Sequence, residues 1–108
     1  MTLGVRFFPE ALRSIDSATF TGSYQAIGVA LANKAVLVKI VNNSTVAVTV
    51  SWDGTADHDY IPANGFTLYD VTANSGRESG IFISEGTVFY VKGSAGTGLV
   101  YLVDFYTR

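Results

Sequence analysis

Residues 46–52 read VAVTVSW. Val46, Val48, Val50 and Trp52 fall on one side of such a segment, and Thr45, Ala47, Thr49 and Ser51 on the other. A period of two, with β-branched residues on both sides, is the pattern of a β-strand. A polar stretch follows, with the only Trp, Trp52, at its edge. It contains the only His, His58, and the acids Asp53, Asp57 and Asp59. Asp53-Gly54, Pro62 and Asn64-Gly65 punctuate it as loop and turn. Residues 66–71 then alternate again.

The same grammar runs through most of the chain. Residues 18–21 and 24–31 are strand candidates around the Gly22-Ser23 turn. Residues 35–41 are apolar on both faces apart from Lys39. Asn42, Asn43 and Ser44 turn the chain, so that 35–41 and 46–52 are expected to form a hairpin. A polar loop at 72–80 leads to short strands at 81–83 and 87–92. Residues 93–98 form a flexible connection to the last strand, 99–106, which is apolar on both faces. Alternation there places Tyr101 and Phe105 on one face and Tyr106 on the other. Seven or eight short strands with turn signals every ~8–12 residues predict an all-β fold. The expectation is a small antiparallel β-sandwich, jelly-roll-like, with an N-terminal arm.

Residues 1–23 differ in kind. Val5, Phe7 and Phe8 are apolar, Pro9 interrupts, and residues 10–15 suit a short helical turn. Leaving a side chain such as Phe7, Phe8, Leu12 or Ile15 in water forgoes roughly 1.5–3 kcal/mol. The segment therefore packs over its own sandwich or lies on a neighbour. The expectation is an arm docked on a neighbouring subunit, with residues 1–23 as arm and first short strand and 24–108 as the sandwich. Candidate interface residues are Phe7, Phe8, Leu12, Ile15, Tyr101, Phe105 and Tyr106.

Composition bears on the same point. Hydrophobic residues make up 48% of the 108, and charged residues only 15%. One small domain has much surface to cover with so little charge. That favours a homo-oligomer, a trimer or higher ring, over a monomer surfaced with Thr, Ser and Gly. Net charge is −2 and the seven basic residues are scattered, so nucleic acid is not an expected partner. There is no Cys, which excludes disulfides and thiolate chemistry. The first ten residues lack a secretory pattern, and no apolar run approaches the ~18 residues of a membrane span. No membrane partner is expected.

Asp53, Asp57, His58 and Asp59 are the one cluster with ligand chemistry, but their spacing matches no calcium loop. A solvated loop is the expected state, with His58→Ala changing stability little. A small metal-dependent enzyme using residues 53–59 is the third functional class considered. Ser51, Asp53 and His58 make no triad on strand geometry, and no G-x-S-x-G is present. Residues 93–98 superficially resemble a phosphate loop, but a strand follows where a helix is needed. Two matches to the glycosylation sequon, at Asn42 and Asn43, lack a secretory context. A row of rings among Tyr24, Trp52, Tyr60, Tyr69, Tyr90, Tyr101 and Tyr106 could form a sugar platform, although alternation puts Trp52 on the buried side at the rim of the core. No catalytic, cofactor-binding or metal residue is assigned, and the chain is expected not to be an enzyme.

Between Asn42 and Val91 the sequence resembles a family of small structural proteins of tailed-bacteriophage virions. The matching features are the Asn42-Asn43 turn, the strand ending Ser51-Trp52-Asp53-Gly54, and Asp57-His58. The Ile61-Pro62-Ala63-Asn64-Gly65 corner, Asp70-Val71-Thr72 with Asn74, and residues 87–92 continue the match. Arg13, Ser14 and residues 24–28 also fit. The resemblance implies a non-enzymatic virion component assembled in the cytoplasm of a bacterial host. It would decorate or cement the capsid, or form a collar at the neck, against major capsid or portal and neck proteins. A carbohydrate-binding module of a phage tail or surface protein is the alternative.

Overall fold

A computed structural model describes residues 7–71 and 82–107. Among these described residues nine strands follow in order: β1 (Phe7–Pro9), β2 (Arg13–Asp16), β3 (Gln25–Ala26), β4 (Ala35–Ser44) and β5 (Val48–Ser51), then β6 (Asp59–Ile61), β7 (Phe66–Asp70), β8 (Tyr90–Lys92) and β9 (Gly98–Thr107). The first sheet has the order β1–β9–β4–β7, with β2 also on β9; the second has the order β3–β8–β5–β6. All pairings are antiparallel. β5 pairs β6, β4 pairs β7, β3 pairs β8 and β2 pairs β9. The chain is thus one long double strand, folded back at the β5–β6 tip and wrapped over two sheets. That connectivity is a jelly roll, and the expected all-β sandwich is observed.

The core lies between the sheets, where the inward sides of the strands meet. Val38, Ile40, Val100 and Leu102 come from the first sheet; Val48, Val50, Ile61 and Val91 from the second; all are buried. Phe20, Ile27, Leu31, Ile83 and Phe89, outside the named strands, close the cluster. Each such side chain contributes roughly 1.5–3 kcal/mol by leaving water. Trp52 and Val46 pack against the rim of this cluster, as the alternation of residues 46–52 requires.

Several expected local features differ. Residues 10–15 are not helical: β2 runs antiparallel to β9, Arg13 opposite Leu102 and Asp16 opposite Leu99. A helix of about six residues barely passes its nucleation cost, whereas the open edge of β9 offers a ready ladder. The division at residue 23 therefore does not describe the fold, since β1 and β2 are the edge of the first sheet. Residues 18–21 are not a strand, because Ser17–Thr19 form a single 3-10 turn capped by the Asp16 carboxylate on the Ala18 N–H.

The expected hairpin of residues 35–41 and 46–52 does not form. β4 continues through Ser44 beside β9, while β5 crosses to the second sheet. Buried Asn42 explains the difference. Its amide donates to Val46 O (2.8 Å), Pro62 O (3.0 Å) and Ile61 O (3.3 Å), and its Oδ1 accepts from Ser44 Oγ. An Asn that reads as a turn residue here serves as an internal tie between the two sheets. Residues 93–98 likewise link β8 in one sheet to β9 in the other. β6 lies in what reads as loop. The expected polar loop at 72–80, Ile81 at the start of the next strand, and residues 1–6 of the arm lie outside the described residues.

Candidate interaction surface

The first sheet has two apolar faces. Its inward parity, Val38, Ile40, Val100 and Leu102, fills the core. Its outward parity is set by the register. Leu37 lies opposite Phe105, Lys39 opposite Val103 and Val41 opposite Tyr101 on β9. On the other side Lys39 lies opposite Leu68 and Val41 opposite Phe66 on β7. Neighbours this close cover one another, so Leu37, Val41, Tyr101, Val103 and Phe105 are half-buried. At the β7 edge Phe66 is 64% exposed and Leu68 46%. Lys39 is the one cation in this three-strand block, and Asp70 and Asn43 lie at its corners. β4 and β9 have 10 residues each and β7 five, so at ~3.3 Å per residue and ~4.8 Å per strand this three-strand block covers about 400 Å².

Tyr101 and Phe105, expected at an interface, lie on this outward face. Tyr106 does not. It is on the opposite side of β9, its ring stacked on Phe8 with centroids 5.6 Å apart. Ile15 packs against the core, and Leu12 is 61% exposed in the link between β1 and β2. Phe7 pairs with Thr107 in the ladder. The expected interface residues thus separate into an outward pair, a sheet-edge group and a single exposed Leu.

The 52–59 loop is a built structure. Asp53 Oδ1 accepts from the N–H groups of Thr55 (2.8 Å) and Ala56 (3.0 Å) and from Ser51 Oγ (2.9 Å). The Ala56 and Thr55 N–H groups and the Ser51 hydroxyl hold its carboxyl at about 2. Asp57 accepts from Tyr24 OH and pairs with Lys92 Nζ at 3.1 Å, and both lower its pKa. Burial, followed by the bond to Asp57, pushes the Tyr24 phenol up to about 12. Asp59 Oδ2 accepts from Tyr69 OH (2.8 Å) and Thr67 Oγ1 (3.1 Å). Burial works to raise Asp59, but these bonds and the Tyr60 N–H bring it below the usual range. Burial first, then Asp59, raises Tyr69 to about 12. His58 Nδ1 accepts from the Trp52 N–H at 3.0 Å. Each acid thus bonds in a different direction, and among the described residues no group of three His, Cys, Asp or Glu is placed to hold a metal ion.

Trp52 meets Tyr69 and Phe89 edge-on, with centroids 5.1 and 4.8 Å away. It is therefore not the centre of an open aromatic platform. Tyr60 is the exposed ring of the second sheet, 62% accessible.

A buried charge cluster was not anticipated from the sequence. Asp104 is 0% exposed and Arg13 8%. Arg13 Nη1 donates to Asp104 Oδ1 at 2.7 Å, and Nη2 to Glu10 Oε1 at 2.8 Å. The signal was present: residues 100, 102 and 104 share the inward parity, and an acid there needs a buried partner.

Comparison with protein-family models, curated proteins and solved structures finds no match.

Proposed function

We propose that this chain is a non-enzymatic structural subunit of a tailed-bacteriophage virion. In this reading it decorates or stabilises the capsid or the head–tail junction through subunit contacts. The observation that supports it is the outward face of the first sheet. A sheet with one core face needs polar residues on the other; here Leu37, Val41, Phe66, Leu68, Tyr101 and Val103 hold those positions. Two such faces together would remove about 800 Å² from water, the scale of a weak contact that a ring repeats around its axis. The partners proposed are copies of the chain, in a trimer or higher ring, and a major capsid, portal or neck protein. The resemblance of residues 42–91 to phage virion proteins points the same way.

The test is sedimentation equilibrium of the purified chain and of Leu68→Glu. A charge at Leu68 would be buried without a partner in the assembly, yet exposed in the lone subunit. The expected result is a wild-type oligomer and a variant that remains folded but monomeric. A wild-type monomer at high micromolar concentration, with no binding to phage heads or necks, would overturn the proposal. Binding on a glycan array, lost on Tyr60→Ala, would replace it with the carbohydrate-binding alternative.

A further inference from the structure

The gap between β1 and β2 is filled by charge. β1 pairs with Phe105, Tyr106 and Thr107, and β2 with residues 99–102; the Glu10 N–H still donates to Asp104 O (3.1 Å), and residues 11–12 then arch across to β2. Beneath the arch, Arg13 ties three segments together. Nη1 reaches Asp104 on β9 and Nη2 reaches Glu10 at the start of the arch. Nε donates to Val29 O (2.8 Å) and Nη2 to Ala30 O (3.0 Å) on the connection from β3 to β4. Glu10 returns to that connection, accepting from the Ala32 N–H (3.2 Å) and Asn33 Nδ2 (2.9 Å). A Cβ on Gly28 would lie 2.9 Å from the Arg13 stem, so the connection packs directly on it.

The charges do not balance. Two carboxylates face one guanidinium, and Asp104 Oδ2 is buried without a hydrogen-bond partner. Glu10 and Arg13 are the charged groups that act on Asp104. Val38 is its cross-strand neighbour on β4 and brings no charge. A proton on Asp104 would neutralise the cluster and give the orphan oxygen a donor role toward Glu10.

We propose that Glu10, Arg13 and Asp104 form a proton-operated latch on the sheet edge. With Asp104 protonated, residues 10–13 and 29–33 are held closed; its ionisation loosens both. Burial first, then repulsion and bonding by Glu10, outweigh Arg13 and raise Asp104 to about 6. A group that titrates normally once the latch opens must favour opening when it ionises. With Asp104 at about 6 in the closed latch and at its ordinary 3.8 once open, the opening equilibrium changes roughly 10- to 100-fold between pH 4.5 and 7.5.

The experiment is amide hydrogen exchange on the full chain, as protection factors corrected for intrinsic rates, at about pH 4.5 and about pH 7.5. Expected is a loss of roughly 10- to 100-fold in protection at residues 10–13 and 29–33 at the higher pH, with β5 and β8 unchanged. Asp104→Asn, a neutral isostere, should keep the acid-like protection at both values. The Asp104 carboxyl carbon, followed by NMR in the wild type, should titrate near 6, and this reading decides should the variant not fold. Equal protection at both pH values, a uniform change over all strands, a variant that keeps the wild-type pH dependence, or an Asp104 carbon that titrates in the ordinary Asp range would each overturn the latch.

Discussion

Replacing Gly98 by Ala tests how closely the two long strands of the first sheet are bound to one another. Gly98 opens β9 opposite Ser44, with φ at +104°. A Cβ there would sit 2.3 Å from Asn43 O and 3.0 Å from Ser44 Cα, both backbone atoms. Gly22 supplies the control, because its φ is +89° but no atom lies within 4 Å of an added Cβ. Both substitutions incur the penalty of a positive φ, roughly 1–2 kcal/mol. Gly98→Ala must also part β4 from β9 by about 1 Å. That weakens one or two ladder hydrogen bonds at about 1 kcal/mol each, along with the Ser17 Oγ bond to Gly98 O. The expected losses are about 1–2 kcal/mol for Gly22→Ala and about 3–5 kcal/mol for Gly98→Ala. Urea denaturation measures both, with the slope m checked for constancy. If the two losses agree within about 1 kcal/mol at unchanged m, the close approach at Gly98 does not govern the end of this strand pair.

Asn42→Ala should lose about 2–3 kcal/mol by urea denaturation. It removes a buried tie between sheets, while Val46 O and Pro62 O keep other donors in Ser44 Oγ and the Gly65 N–H. Trp52→Ala should lose about 2–4 kcal/mol, below a fully buried ring because Trp52 is only half-buried against Tyr69 and Phe89; a loss under about 1 kcal/mol would place the ring outside the core. His58→Ala should cost less than about 1 kcal/mol in the same assay, since the Trp52 N–H it leaves is exposed and meets water. Stability should peak near pH 4–5 in urea titrations across pH. Glu10, held at about 2 against burial by Arg13 and Asn33, contributes stability above its unfolded value of about 4.5 and loses it as pH falls toward 2. Asp104, raised to about 6 chiefly by burial, contributes fully below its unfolded value of about 3.8 and loses that as pH rises through 6. A maximum at pH 8 or above would contradict the Asp104 assignment, and no loss of stability between pH 4.5 and 2 would contradict that of Glu10.

What the sequence determined by itself is the class of the fold and the parity of its strands. Alternation is a local property: Val48 and Val50 face inward, and Tyr101 and Phe105 face outward, because successive side chains of a strand point to opposite faces. The two-faced apolar character of residues 35–41 and 99–106 was legible for the same reason, and the proposed contact surface follows from it. Tertiary structure decided which strand lies beside which. Asn42, Asn43 and Ser44 have the composition of a turn, yet they continue β4 because β9 supplies their ladder and the Asn42 amide finds three carbonyls across the core. Residues 10–16 carry no strand pattern long enough to read, and it is the unpaired edge of β9 that extends β2. The Glu10–Arg13–Asp104 cluster joins residues 91 positions apart. Its parts read locally as a helical turn and an apolar strand. Only the wrapping of the chain brings them together, because a buried charge is stable only where a distant segment supplies its counter-charge.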